Sequence, residues 1–124
     1  MARTELTVNS IKGSYPGDIS DGDLDISFEA GDDTDGNYYI STGREIVMAT
    51  NTGSSSNTIT ITSSDDPYLR DDDISAYSIS GGSYAAIGPL QRTGWANGSG
   101  QVNIDVGAAD IEIAIIRIPV QVTR

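Results

Sequence analysis

Thr58-Ile59-Thr60-Ile61-Thr62 sets an apolar residue at every second position and a hydroxyl on either side of it. A period of two turns both isoleucines to one face of a pleated strand and the three threonines to the other, so the segment reads as a half-buried strand. All five residues are β-branched, which suits a strand and disfavours a helix. The pattern returns on either side: Val102, Ile104 and Val106 alternate with Gln101, Asn103 and Asp105, Leu24, Ile26 and Phe28 with Asp25 and Ser27, and Leu6 and Val8 with Thr7 and Asn9. One buried and one wet face per strand is what an antiparallel sheet requires. Weaker strands are expected at residues 38–41, 76–80 and 84–87, and a helical turn is conceivable near residues 71–75.

Residues 44–50 and 111–118 are apolar at both parities. Each is either a strand covered on both faces or one bulged partway. In the second, the parity changes at Ile115 and Ile116, where a one-residue bulge would keep Ile111, Ile113 and Ile115 on one side and restore the core face with Ile116 and Ile118. The alternative is a last strand buried on both sides, for instance against a neighbouring subunit. Turn residues cluster between strands at Gly31-Asp32-Asp33-Thr34-Asp35-Gly36-Asn37, Asn51-Thr52-Gly53-Ser54, Gly81-Gly82 and Asn97-Gly98-Ser99-Gly100. Short strands and frequent turns point to an all-β sandwich or small barrel. Residues 23–124 form that body; residues 1–22, punctuated by Lys12-Gly13-Ser14-Tyr15-Pro16-Gly17, are an N-terminal arm or the first strand.

A chain of 124 residues fits one domain, able to stand without disulfides or metal. It has no cysteine, which fits assembly in a reducing cytoplasm. A net charge of −11, from 18 acidic and 7 basic residues with no basic cluster, argues against nucleic acid and anionic lipid as partners. No signal peptide is expected, and the longest apolar run, residues 111–120, is about half a membrane span and is broken by Glu112 and Arg117.

Histidine and cysteine are both absent, which removes Ser/His/Asp triads, thiol nucleophiles and the usual zinc and haem ligand sets. Asp65, Asp66, Asp71, Asp72 and Asp73 offer carboxylates for acid-base work, but aspartate is favoured in turns simply because its side chain bonds nearby backbone. The Asp33-Thr34-Asp35-Gly36-Asn37 run has the look of a calcium loop, yet with Gly36 as the turn glycine the first and last ligand positions would be Gly31 and Thr42, so an EF-hand is rejected. We expect no catalytic residue, no metal site and no cofactor. Trp95 is either a lid over one end of the sandwich or an interface anchor. Tyr38 and Tyr39 are adjacent, so only one can enter the core. Arg44, Arg70, Arg92 and Arg117 are expected mainly as ion-pair partners.

The order of motifs has a precedent. A Gly36-Asn37 turn, the strand Gly43-Arg44-Glu45-Ile46-Val47-Met48-Ala49-Thr50-Asn51, the Thr58–Thr62 strand, an Ile87-Gly88-Pro89 step, Gly100-Gln101-Val102 and an Ile-rich strand ending at Pro119 are similar to small head decoration, or cement, proteins of tailed bacteriophages. The likeness covers residues 30–119. It implies a jelly-roll-like antiparallel sandwich of about eight short strands, commonly trimeric, seated on the capsid surface of the virion and contacting the major capsid protein. On that view Ile111, Ile113, Ile116 and Ile118 would serve self-association. Leu6, Val8 and Ile11 would be the apolar capsid contacts of an arm able to reach on the order of 35 Å, at about 3.3 Å per residue. The alternatives are a carbohydrate- or calcium-binding sandwich of a fibre or adhesin, another tail or connector part, and a small carboxylate enzyme.

Overall fold

The computed structural model describes residues 2–11, 18–22, 24–64 and 73–119. It holds ten strands: β1 (Thr4–Glu5), β2 (Val8–Ser10), β3 (Glu29–Ala30), β4 (Asn37–Ile40), β5 (Glu45–Asn51), β6 (Asn57–Thr62), β7 (Ile74–Ile79), β8 (Tyr84–Ile87), β9 (Gln101–Val106) and β10 (Ile111–Arg117). No helix occurs among the described residues. The strands form two sheets, one ordered β1-β4-β9-β6-β7 and the other β2-β10-β5-β8, with β3 beside β2 on the same edge of β10. Facing each other, they make a β-sandwich.

Strict alternation gave strands at β6 and β9. On β6 and β9, Ile59, Ile61, Val102, Ile104 and Val106 point inward and are buried, while the intervening Thr, Asn, Gln and Asp side chains are half-exposed. They meet Val47, Ala49, Ile111, Ile113 and Ile115 from the other sheet in one core. At about 2 kcal/mol for each buried aliphatic side chain, this cluster is the main stabilising term of the fold.

The double-parity segments are both central strands, and neither is bulged. β10 runs in unbroken register along β5, from Ile111 opposite Asn51 to Arg117 opposite Glu45. Ile111, Ile113 and Ile115 face the core, whereas Ala114 and Ile116 are buried on the outer face of the same sheet. The chain entering β3 lies along that outer face: Ser27 exchanges hydrogen bonds with Asn9 of β2, and the Phe28 ring meets Tyr84 of β8 edge-on at 6.2 Å. The bulge expected at Ile115 and Ile116 is therefore replaced by burial on two sides, supplied within the chain.

Three expectations change. The strand read from Leu24, Ile26 and Phe28 is not formed and pairing begins only at Glu29–Ala30, because β10 offers β3 only Glu112 and Ile113 while its later residues pair with β2. Leu24 and Ile26 are left 60% and 39% exposed. The sandwich is not wholly antiparallel: β3 to β10 pair antiparallel throughout, but β1 joins β4 and β2 joins β10 in parallel. The conceivable helical turn near residues 71–75 is strand from Ile74 onward, with residues 71 and 72 outside the described set.

Candidate protein-contact surfaces

One lateral edge of the sandwich is closed by the N-terminal segment. β1 extends the first sheet and β2 the second, so residues 4–10 cross from one sheet to the other and drop Leu6 between them, 2% exposed. Leu6 is thus a core residue and cannot serve as a capsid contact. Val8 packs half-buried against the same core, and only Ile11, 38% exposed, keeps the accessibility that an arm contact needs. The free-arm expectation is corrected for residues 4–10, because their backbone hydrogen bonds are spent on β4 and β10.

The polar groups of this edge are bonded to one another. The Arg3 guanidinium donates to Asp105 at 2.9 and 3.3 Å and to the carbonyls of Asn37 and Ile104. Gly36, at φ +83°, leaves the space this guanidinium fills; a Cβ there would stand 2.3 Å from Nη1. The Asp32 carboxylate accepts from the backbone N–H groups of Asp35 and Thr34 and from the Thr4 hydroxyl, and the Asp35 N–H, then Thr4, then Thr34 hold its pKa below the ordinary carboxylate value. These bonds engage the Asp32 carboxylate within its own loop and with β1. No group of three or more acidic side chains poised to share an ion occurs among the described residues. Asp65, Asp66, Asp71 and Asp72 lie outside the described residues, while Asp73 accepts from the Ser63 backbone and hydroxyl.

Where β5 begins, Glu45 is fully buried. Burial pushes its carboxyl up, but the Thr42 hydroxyl, Arg117 and the Thr42 N–H together outweigh it and hold the pKa below its ordinary value. The Arg117 Nε donates to Glu45 at 2.6 Å, which fastens the end of β10 to the start of β5. Tyr39 is the tyrosine that enters the core, and Tyr38 faces out, its pKa raised by burial and by Glu5. The Tyr39 hydroxyl has no hydrogen-bond partner, and burial first, Glu45 second, drive its pKa up. Trp95 packs half-buried against the core from the 88–100 connection, as a lid does. Of the arginines singled out, Arg117 forms an ion pair, Arg44 buries an Nε without a partner, Arg92 is exposed, and Arg70 lies outside the described residues.

The self-association surface expected on the last strand is absent. Ile111 and Ile113 are 0% and 1% exposed and Ile116 is 6% exposed, all inside this one chain, and Ile118 beyond the strand is half-buried. β10 has β5 on one side and β2 and β3 on the other, so it has no free edge either.

Among the described residues the opposite lateral edge is open. β7 ends one sheet and β8 the other, and between them a cleft of about 280 Å³ leads to the core, floored by Val47, Ala49, Ile59 and Ile61 and rimmed by Tyr77, Tyr84 and Ile87. These rim residues are 55%, 70% and 37% exposed. Apart from the buried Glu45 that opens β5, the strands around the cleft come from residues 46–64 and 74–91, and neither stretch contains a single Asp, Glu, Lys or Arg in a chain where charged residues make up 20%. Those two uncharged runs are the sequence signal that marks this flank, and they are visible only when charge is mapped along the chain and not merely summed. No family model, curated protein or solved structure matches this chain.

Proposed function

We propose that this protein is a structural, protein-binding sandwich of a bacteriophage head: a decoration or cement protein on the capsid surface that stiffens the shell through contacts with the major capsid protein and with its own copies. The observation that carries the reading is the open flank between β7 and β8. An uncharged surface with exposed tyrosines around an apolar cleft is the composition of an interface core, where charges are depleted and aromatic residues enriched. A rigid two-sheet body with such a flank binds by shape; Tyr77 and Tyr84 supply contact area at a cost of few rotatable bonds.

The finer fold reading is a jelly roll. What supports it is the order β3-β10-β5-β8 against β4-β9-β6-β7, in which successive strands change sheet at every step except β6 to β7. On that view β1 and β2 are additions in front of an eight-stranded body.

The test is addition of purified protein to heads that lack it. Saturable binding at micromolar concentration, with heads that then resist heat-induced rupture, is the expected result. Heads that neither bind the folded protein nor gain resistance to rupture sink the reading.

A further inference from the structure

We propose that the open flank is covered by a second copy of this chain, docked by antiparallel pairing of β8 with β8 about a two-fold axis. The proposal rests on the reading of the flank as a protein-contact surface, and it names the occupant.

Charge points to a like partner. A molecule of net charge −11 meeting a basic protein gains by presenting carboxylates, whereas two copies meeting face to face set like charges against each other. An isologous contact places the same patch on both sides, so it excludes this repulsion most simply by carrying no charge at all. Residues 46–64 and 74–91 satisfy that condition over β6, β7, β8 and all of β5 after the buried Glu45.

Backbone geometry selects β8 and its register. β7 is a poor pairing edge: Ala76 sits at φ +48° and its register along β6 shifts between Ile59 and Ile61, an irregularity that turns an edge away from partners. β8 has no irregularity in its pairing with β5, no charge and no proline. The Asn51 N–H donates to the Ser83 carbonyl. Ladder bonds alternate from there, so Ala85 and Ile87 bond toward β5 while Tyr84 and Ala86 direct N–H and C=O groups outward. Centring the two-fold axis on Ala85 sets Tyr84 opposite Ala86 of the second copy, twice, and all eight outward groups then pair. The same register keeps the faces matched, because Tyr84 and Ala86 both lie on the outer face. Opposite each large ring stands a methyl group, which leaves room for it. The second sheet becomes continuous across the axis, β2-β10-β5-β8 meeting its copy, and the two clefts face each other and close.

Sedimentation of the full chain at micromolar concentration is expected to give twice the 13.0 kDa monomer mass. Tyr84→Asp, at a side chain 70% exposed, sets a carboxylate into the seam and is expected to weaken the dimer on the order of a hundredfold with the fold intact. Ala86→Pro removes an outward N–H that the monomer does not use, so it too is expected to give folded monomer. Mixing Tyr84→Asp with Ala86→Lys places opposite charges across the axis and is expected to restore a mixed dimer. A wild-type monomer, a trimer, a dimer indifferent to Tyr84→Asp and Ala86→Pro, or a mixture that does not pair each overturns the proposal. Head binding is scored separately: a dimer that leaves heads unprotected removes the head reading and keeps this one, and a monomer that protects them does the reverse.

Discussion

At one side of the sandwich the N-terminal segment hydrogen-bonds to β4 and β10, buries Leu6 and ties Arg3 to Asp105; at the other, among the described residues, β7 and β8 present unpaired outer edges around a cleft whose lining residues carry no charge. Unpaired strand edges invite association, and proteins blunt them with charge, proline, bulges or a covering segment. The first edge uses a covering segment and the edge strand β7 uses an irregularity, but β8 has none of these protections. The difference teaches that one edge is finished within the chain, while the other leaves the outward backbone groups of β8 without a partner among the described residues.

Breaking the fastening between β5 and β10, the strands that separate the two edges, is expected to have the largest effect. Glu45→Ala strands Arg117 beside a buried hole and should cost about 4 kcal/mol in urea denaturation. The pH dependence has a definite sign. The Glu45 pKa is depressed in the folded protein, so its contribution is fully present above the unfolded value of 4.5 and is lost as pH falls through the lower folded value. The wild type should lose stability steeply in that acid window and Glu45→Gln should lose less, measured by denaturant midpoints from pH 7 downward.

Next comes the closed edge itself. Leu6→Ala is expected to cost about 3 kcal/mol, the loss for a buried leucine, and a value near zero would return residues 4–10 to the status of a free arm. A double-mutant cycle on Arg3 and Asp105 should find a coupling of about 0.5 kcal/mol that fades in salt, since both side chains are partly solvated. On the open edge, Tyr84→Asp should cost the monomer about 1 kcal/mol, through loss of the edge-on contact with Phe28, while it weakens association about a hundredfold. Smallest of all, Tyr39→Phe should be neutral or slightly stabilising, because the hydroxyl it removes has no partner to lose.

Much of the sheet was legible from alternation alone. Ile59 and Ile61, or Val102, Ile104 and Val106, announce a core face wherever they are met, and 84–87 was read to the residue. The same rule failed for Leu24, Ile26 and Phe28, since an alternating segment becomes a strand only if a neighbour has backbone groups to spare, and β10 had given its own to β2. It also assigned Ile111, Ile113 and Ile116 to a subunit contact, because an apolar residue at either parity signals burial without saying what does the burying. The flank between β7 and β8 went unread for a related reason: Tyr77, Tyr84 and Ile87 look like core residues until the edge positions of β7 and β8 are known.

By itself the sequence determined most of the strands, the apolar face of those that alternate, and that histidine and thiol chemistry is absent, because periodicity and composition are local properties of the chain. Only the tertiary structure decided which strands are central and which are edges, that Leu6 lies between the sheets, and that the uncharged stretches come together on one side. Those are matters of pairing between residues far apart in sequence, as Thr4 with Asn37 and Val8 with Ile115, and nothing in a local pattern encodes its distant partner.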